Sequence, residues 1–114
     1  MRSNCSFCRI ISGDDPARIV YRSDGVTAFY DINPQAPTHI LIVPDRHIAS
    51  LVEARPGDVE LLGRLLLVAR QVAEQVGLND GYRLVLNTGP RAGQSVYHLH
   101  FHLLGGRSLR WPPG

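Results

Sequence analysis

Three histidines alternate with apolar residues in the run His98-Leu99-His100-Phe101-His102-Leu103-Leu104. Side chains alternate across an extended chain, so a strand here sends the imidazoles to one face and Leu99, Phe101 and Leu103 to the other. At a rise of about 3.3 Å per residue, successive imidazoles stand roughly 6.5–7 Å apart. The chain holds only five histidines, and three on one short face argue against a polar surface that happens to be histidine. Two chemistries remain. His-x-His on a strand can chelate a transition metal through neutral imidazole. Rings that titrate near neutrality can instead attack, donate and relay protons. The segment just upstream favours the second. Gly89 and Gly93 permit a tight turn whose backbone N–H groups, with those of Gln94, can meet an anion. Asn87 adds an amide and Ser95 a hydroxyl, so a phosphate held there would lie beside the imidazole row.

A second cluster of reactive side chains lies at Cys5-Ser6-Phe7-Cys8. It reads as half of a zinc site, as a redox pair, or as two thiols packed as small hydrophobes. A redox pair wants a strand before it and a βαβ unit after it, and neither is evident. Zinc needs two more ligands, and His47, after Pro44-Asp45-Arg46, is a free candidate. Four protein ligands would leave no open position, so such a site would be structural.

Several elements must position these groups. Arg18–Arg22 and Val26–Asp31 read as a hairpin turned at Ser23-Asp24-Gly25. Asn33-Pro34-Gln35-Ala36-Pro37 is a stiff loop, because each proline fixes its own φ and restricts its predecessor. His39–Val43, apolar on both faces and ended by Pro44, predicts a central strand. A long helix begins near Pro56-Gly57-Asp58, with Leu62, Leu65, Ala69, Val72 and Val76 on its core face and Arg64, Arg70, Gln71 and Glu74 on the wetter side. Gly77 suits the left-handed residue past its end. Tyr82–Asn87 is a further strand, and Tyr97–Leu104, broken by Gly105-Gly106, is the last. The sum is α+β, with the long helix on one face of a mainly antiparallel sheet.

Residues 1–114 read as one domain, with no repeat or dividing linker. Hydrophobic residues make up 44% and charged residues 19%, which excludes disordered and fibrous classes. A net charge of +2 without a Lys/Arg run gives no reason to expect nucleic acid. No apolar stretch approaches the roughly 18–20 residues needed to span a bilayer, and no signal-peptide core follows Met1-Arg2-Ser3-Asn4. A cytoplasmic protein with reduced cysteines and no organic cofactor is the expectation.

The histidine run resembles the histidine-triad signature, His-φ-His-φ-His-φ-φ with φ apolar. Asp31-Ile32-Asn33-Pro34-Gln35-Ala36-Pro37-Thr38-His39, Gly93-Gln94-Ser95-Val96-Tyr97-His98 and Trp111-Pro112-Pro113-Gly114 are similar to the histidine-triad nucleotide-binding (Hint) branch of that superfamily. The resemblance implies the histidine-triad fold: an antiparallel sheet of about five strands, one long helix and a short N-terminal helix. It implies hydrolysis of purine nucleoside phosphoramidates or acyl-adenylates, with a nucleoside monophosphate released through a nucleotidyl-His100 intermediate. His98 would orient His100 through its backbone carbonyl. His102, Ser95, Gly93 and Gln94 would hold the phosphate, Asn87 would position it, and His39 would belong to a proton relay. Asp31 would accept hydrogen bonds from the ribose, with Phe7, Ile10 and Ile32 lining the base pocket. Relatives that keep Cys-x-x-Cys complete a zinc site in a way that assigns Cys5, Cys8, His47 and His98 as ligands. A homodimer is also implied, with Trp111–Gly114 reaching toward the partner's active site; a tail tucked onto its own chain is the alternative. Dinucleoside-polyphosphate hydrolysis is the nearest enzymatic rival, disfavoured by that tail and by Ser95. A nucleotide-binding scaffold with incidental turnover is the rival from another class.

Overall fold

Asp24 and Gly25 turn the chain with positive φ values of 52° and 78°, and the strands on either side pair as the sequence predicts. The computed structural model describes residues 3–114. Its strands are β1 (Ile19–Ser23), β2 (Val26–Tyr30), β3 (Thr38–Pro44), β4 (Tyr82–Val85) and β5 (Phe101–Gly105). They form one sheet in the order β1-β2-β3-β5-β4, antiparallel throughout. A short helix, α1 (Ser6–Ser12), precedes the sheet, and the long helix α2 (Val59–Gln75) lies between β3 and β4 in sequence.

Strand alternation sorts the sheet's two faces. Val26 and Ala28 of β2, Ile40 and Ile42 of β3, and Leu103 of β5 are buried with Leu65, Val68, Ala69, Val72 and Ala73 of α2. The opposite face carries Phe29, Leu41 and Val43, packed with Phe7, Ile10 and Ile11 of α1. His39 and His102 belong to this second face by the same alternation. Leu41 pairs with His102 and His39 with Leu104, which makes His39 and His102 diagonal cross-strand neighbours.

Pro56–Asp58 forms a tight 3₁₀ turn, and α2 proper begins at Val59. The buried stripe includes Val68 and Ala73, whereas Leu62 and Val76 are only partly buried. At its end Gly77 has φ of 82°, and the Leu78 N–H returns to the Ala73 carbonyl at 2.9 Å, closing the helix as expected. Leu78 then fixes β5: a Cβ at Gly105 would come within 2.8 Å of its side chain.

The last strand is shorter than predicted. Its ladder begins at Phe101, and 98–100 lie outside the sheet, with the chain bending at His98. That segment is bonded instead to the end of β3 and the chain beyond it, through the His98 side chain to the Pro44 carbonyl and the Leu99 N–H to the Ile48 carbonyl at 2.6 Å. The inward–outward alternation survives, since Leu99 and Leu103 are buried with the α2 face. β4 likewise stops at Val85 rather than Asn87. Among the described residues no helix is long and apolar enough to cross a membrane.

Candidate active site and metal centre

The second face of the sheet opens into a cleft of about 630 Å³ between α1, the loop after β2 and the histidine run. Phe7, Ile10, Asp31, Ile32, His39, Ser95, His100 and His102 all line it. The His100 Nδ1–H donates to the His98 carbonyl at 2.7 Å. That bond fixes the tautomer and leaves the Nε2 lone pair free. Phe7 stands edge-on to the His100 ring at 5.0 Å, and the His102 ring lies 4.9 Å away. The rings are thus closer than the backbone repeat alone predicts, because they lean together in the cleft.

Burial keeps these rings neutral. It pushes His100, His39 and His102 below the ordinary imidazole value, His102 down to about 4, with the neighbouring His100 and His39 adding to the effect on His102. The nearby Asp31 carboxylate opposes the shift at all three. A neutral imidazole with a bare Nε2 can act as a nucleophile, and His100 has that form. Asp31 places an oxygen 3.5 Å from His39 Nε2 and accepts the Asn33 N–H at 2.8 Å with its other oxygen. His39 Nε2 and His102 Nδ1 are 2.9 Å apart, and the Gln35 backbone N–H donates to His39 Nδ1 at 3.0 Å.

A second cluster shares one residue with the first. Cys5 Sγ, Cys8 Sγ, His47 and His98 bring their donor atoms within 4.8 Å of one another. His98 Nδ1 lies 3.3 Å from Cys5 Sγ, 3.5 Å from Cys8 Sγ and 3.2 Å from His47 Nδ1. Zinc with bonds of about 2.3 Å to sulfur and about 2.1 Å to nitrogen separates tetrahedral ligands by roughly 3.4–3.8 Å, so the cluster is close to size. Tautomer chemistry fits as well. His98 is fully buried and its Nε2–H donates to the Pro44 carbonyl at 2.7 Å, which turns the Nδ1 lone pair toward the thiols. Two sulfurs and two oriented imidazoles are a donor set suited to zinc.

A model of the HIT domain matches residues 12–109. The chain belongs to the HIT family. It is 55% identical over 114 residues to an uncharacterized HIT-like protein of Synechococcus elongatus, covering all of both chains. Over 110 residues it is 54% identical to a 14 kDa zinc-binding protein of Zea mays, spanning 95% of this chain and 86% of that one. A crystal structure of a HIT family hydrolase from Legionella pneumophila superposes with a TM-score of 0.95 at 50% identity, over 97% of this chain and all of the other. The α+β histidine-triad fold, with five strands, a long helix and a short one, is thereby established.

Gly93 and Gln94 do not line the cleft. Their N–H groups are used within the loop, bonding to the Pro90 and Gly89 carbonyls at 3.1 Å each. The Gln94 side chain is buried and braces the loop, accepting the Gly89 N–H and donating to the Ala49 and Val96 carbonyls. Ser95 alone of that loop's predicted phosphate ligands reaches the cleft, and Asn87 lies outside its lining. Ile32 is 98% exposed on the rim, whereas Phe7 is buried and serves as both core and wall. Sequence reasoning missed Tyr30, Phe29, Leu41, Ala17 and Gln35 as lining residues. The apolar ones carry no signal beyond strand alternation, and Gln35 acts through a main-chain amide that no side chain advertises.

Proposed function

We propose that this HIT protein hydrolyses the P–N or related bond of purine nucleoside phosphoramidates and acyl-adenylates, releasing the nucleoside monophosphate. The observation that carries the reading is the 2.7 Å bond from His100 Nδ1 to the His98 carbonyl, which leaves Nε2 unprotonated in a cleft large enough for a nucleotide. Attack by Nε2 on the α-phosphorus forms a P–N bond to His100 as the leaving nitrogen takes a proton from the His102 N–H and departs as the amine. An acyl-adenylate expels its carboxylate without that proton. Water then attacks the same phosphorus, and the nucleoside monophosphate leaves as the imidazole is regenerated. His102 and the Ser95 hydroxyl hold non-bridging phosphate oxygens, and Asp31 takes the ribose hydroxyls. Phe7 and Ile10, with Ile32 at the rim, flank the base. The departing amine must gain a proton before the P–N bond breaks readily, so acid catalysis matters more than for a phosphate leaving group.

Cys5, Cys8, His47 and His98 would hold a structural zinc ion, which would crosslink the N-terminal segment to the histidine run. The zinc-binding protein of Zea mays supports this reading. The ion's chemistry is confined to binding thiolates and imidazoles, and no reaction step passes through it.

A homodimer completes the proposal. α2 leaves Val59, Leu66 and Leu67 exposed, the edge strand β4 leaves Tyr82 exposed, and Trp111 is 82% exposed rather than folded onto its own chain. These surfaces suit a second copy whose Trp111–Gly114 tail reaches the partner's cleft.

The test is to incubate the chain with adenosine phosphoramidate and follow AMP, beside His100→Ala. Turnover by the wild type is expected, with a fall of roughly three orders of magnitude or more in the variant, the scale seen when a covalent nucleophile is removed. Quenching in alkaline denaturant, which spares the acid-labile P–N bond, should trap an adenylyl group on the wild type alone. Equal, slow release by both proteins would leave a binding or scaffolding role instead. A marked preference for diadenosine polyphosphates would favour the rival hydrolase reading.

A further inference from the structure

We propose that the main-chain amide of Gln35 sets the proton positions of His39 and His102, so that His102 offers an N–H to the cleft and His39 orients it without relaying protons. One backbone donor fixes the arrangement. The Gln35 N–H points at His39 Nδ1 from 3.0 Å, so that nitrogen must present a lone pair. A neutral imidazole carries one N–H, which is therefore on His39 Nε2. Two acceptors face it: His102 Nδ1 at 2.9 Å and Asp31 Oδ2 at 3.5 Å. Only the first lies within the usual hydrogen-bond range. His102 Nδ1 thus accepts, its own proton sits on Nε2, and the ring presents a donor to the cleft that it lines. Protonating His39 a second time would set Nδ1–H against the Gln35 N–H, donor against donor, at a residue only 4% exposed.

The amide is held for this task. Asp31 N–H bonds the His39 carbonyl at 3.0 Å and closes the loop. The Gln35 side chain donates to the Asn33 carbonyl at 3.0 Å, and Arg107 donates to the Gln35 carbonyl at 3.0 Å. Pro34 and Pro37 stiffen the remainder. Two consequences follow. His39 cannot give up its Nε2 proton without becoming an imidazolate, so the proton for the leaving group comes from another donor; this consequence rests on the hydrolase reading above. Independently of that reading, the cluster of Asp31, His39 and His102, whose ligand atoms also lie within 4.8 Å, is not a metal site, because the His39 nitrogen facing it bears hydrogen.

Nitrogen-15 NMR of histidine-labelled protein reads the tautomers directly, with single histidine substitutions to assign the rings. Neutral Nε2–H forms are expected for both His39 and His102 near neutral pH. Nδ1–H or a cation at His39 would overturn the assignment. Gln35→Pro deletes the amide hydrogen, whereas Gln35→Ala removes the side chain and keeps it. The alanine variant is expected to retain both tautomers. The proline variant is expected to lose the fixed His39 tautomer, with kcat falling about tenfold or more as His102 loses its orientation and KM changing less. An unchanged His39 in a folded Gln35→Pro variant would sink the proposal, and if that variant fails to fold the wild-type spectrum still decides. Expected tautomers in a protein that releases no AMP would leave this assignment standing and remove the hydrolase reading.

Discussion

His98 is the residue at which the proposed active site and the proposed metal site meet, and it faces them with different atoms. Its carbonyl holds the His100 tautomer, its Nε2–H is spent on Pro44, and its Nδ1 faces two thiols and His47. The sites should therefore separate when residues belonging to only one of them are changed. His47→Ala removes a metal donor, and metal analysis is expected to fall from about one zinc per chain toward none, with lowered thermal stability. His102→Ala should keep the metal and lose turnover. Zinc content that falls with His102→Ala, or stays whole in His47→Ala, would contradict the division of roles.

At the scale of elements, the loop between β4 and β5 is a braced turn. Gly89 and Gly93 adopt φ of 86° and 89°, and the Gln94 amide ties the turn to the Ala49 carbonyl on one side and the Val96 carbonyl on the other. Gln94→Ala strands three backbone groups at once. A loss of about 1–3 kcal/mol is expected from denaturant unfolding, with reduced turnover because Ser95 loses its support. A stability unchanged within about 0.5 kcal/mol would mean that water replaces the amide at no net cost. This loop also marks the limit of what the sequence makes legible. The glycines announce a turn with positive φ, and that expectation holds. Which N–H groups the turn consumes internally depends on distances that no spacing rule supplies. The histidine run behaves similarly: period two correctly sorts Leu99 and Leu103 inward, yet the ladder begins only at Phe101 because Pro44 and Ile48 capture the preceding residues. Half of the cysteine cluster was legible in its residue types, as Cys5 and Cys8 with His47 a candidate, whereas His98 entered only through the resemblance to the histidine-triad family. Gln35 was not legible, because its contribution is a peptide N–H that every non-proline residue has.

At the scale of the molecule, several buried imidazoles make stability depend on acid. His39, His100 and His102 are pushed below their ordinary value of 6.5, His102 to about 4. Between those limits the unfolded chain binds protons that the folded chain refuses. Stability is therefore full above about pH 6.5, declines as pH falls, and the part due to His102 levels off near pH 4. Thermal melts across this range should show Tm falling on acidification, and a flat profile would mean the rings are more solvated than their burial implies. The exposed apolar side chains of α2 and the free edge of β4 predict association. Sedimentation equilibrium should give a dimer, which Leu66→Arg should drive toward monomer by placing a charge in the apolar contact. A monomeric wild type would remove the dimer from the proposal.

β5 lies between β3 and β4 in the sheet although it is last of the five in sequence. A chain emerging from the ribosome can zip β1, β2 and β3 as successive hairpins, but β4 has no neighbour until the final strand slides in beside it. The same late segment carries His98, whose ring meets a cysteine 93 residues earlier, and it brings His100 and His102 to the cleft. Completion of the sheet, convergence of the cysteine–histidine cluster and assembly of the histidine-lined cleft thus all depend on this one segment.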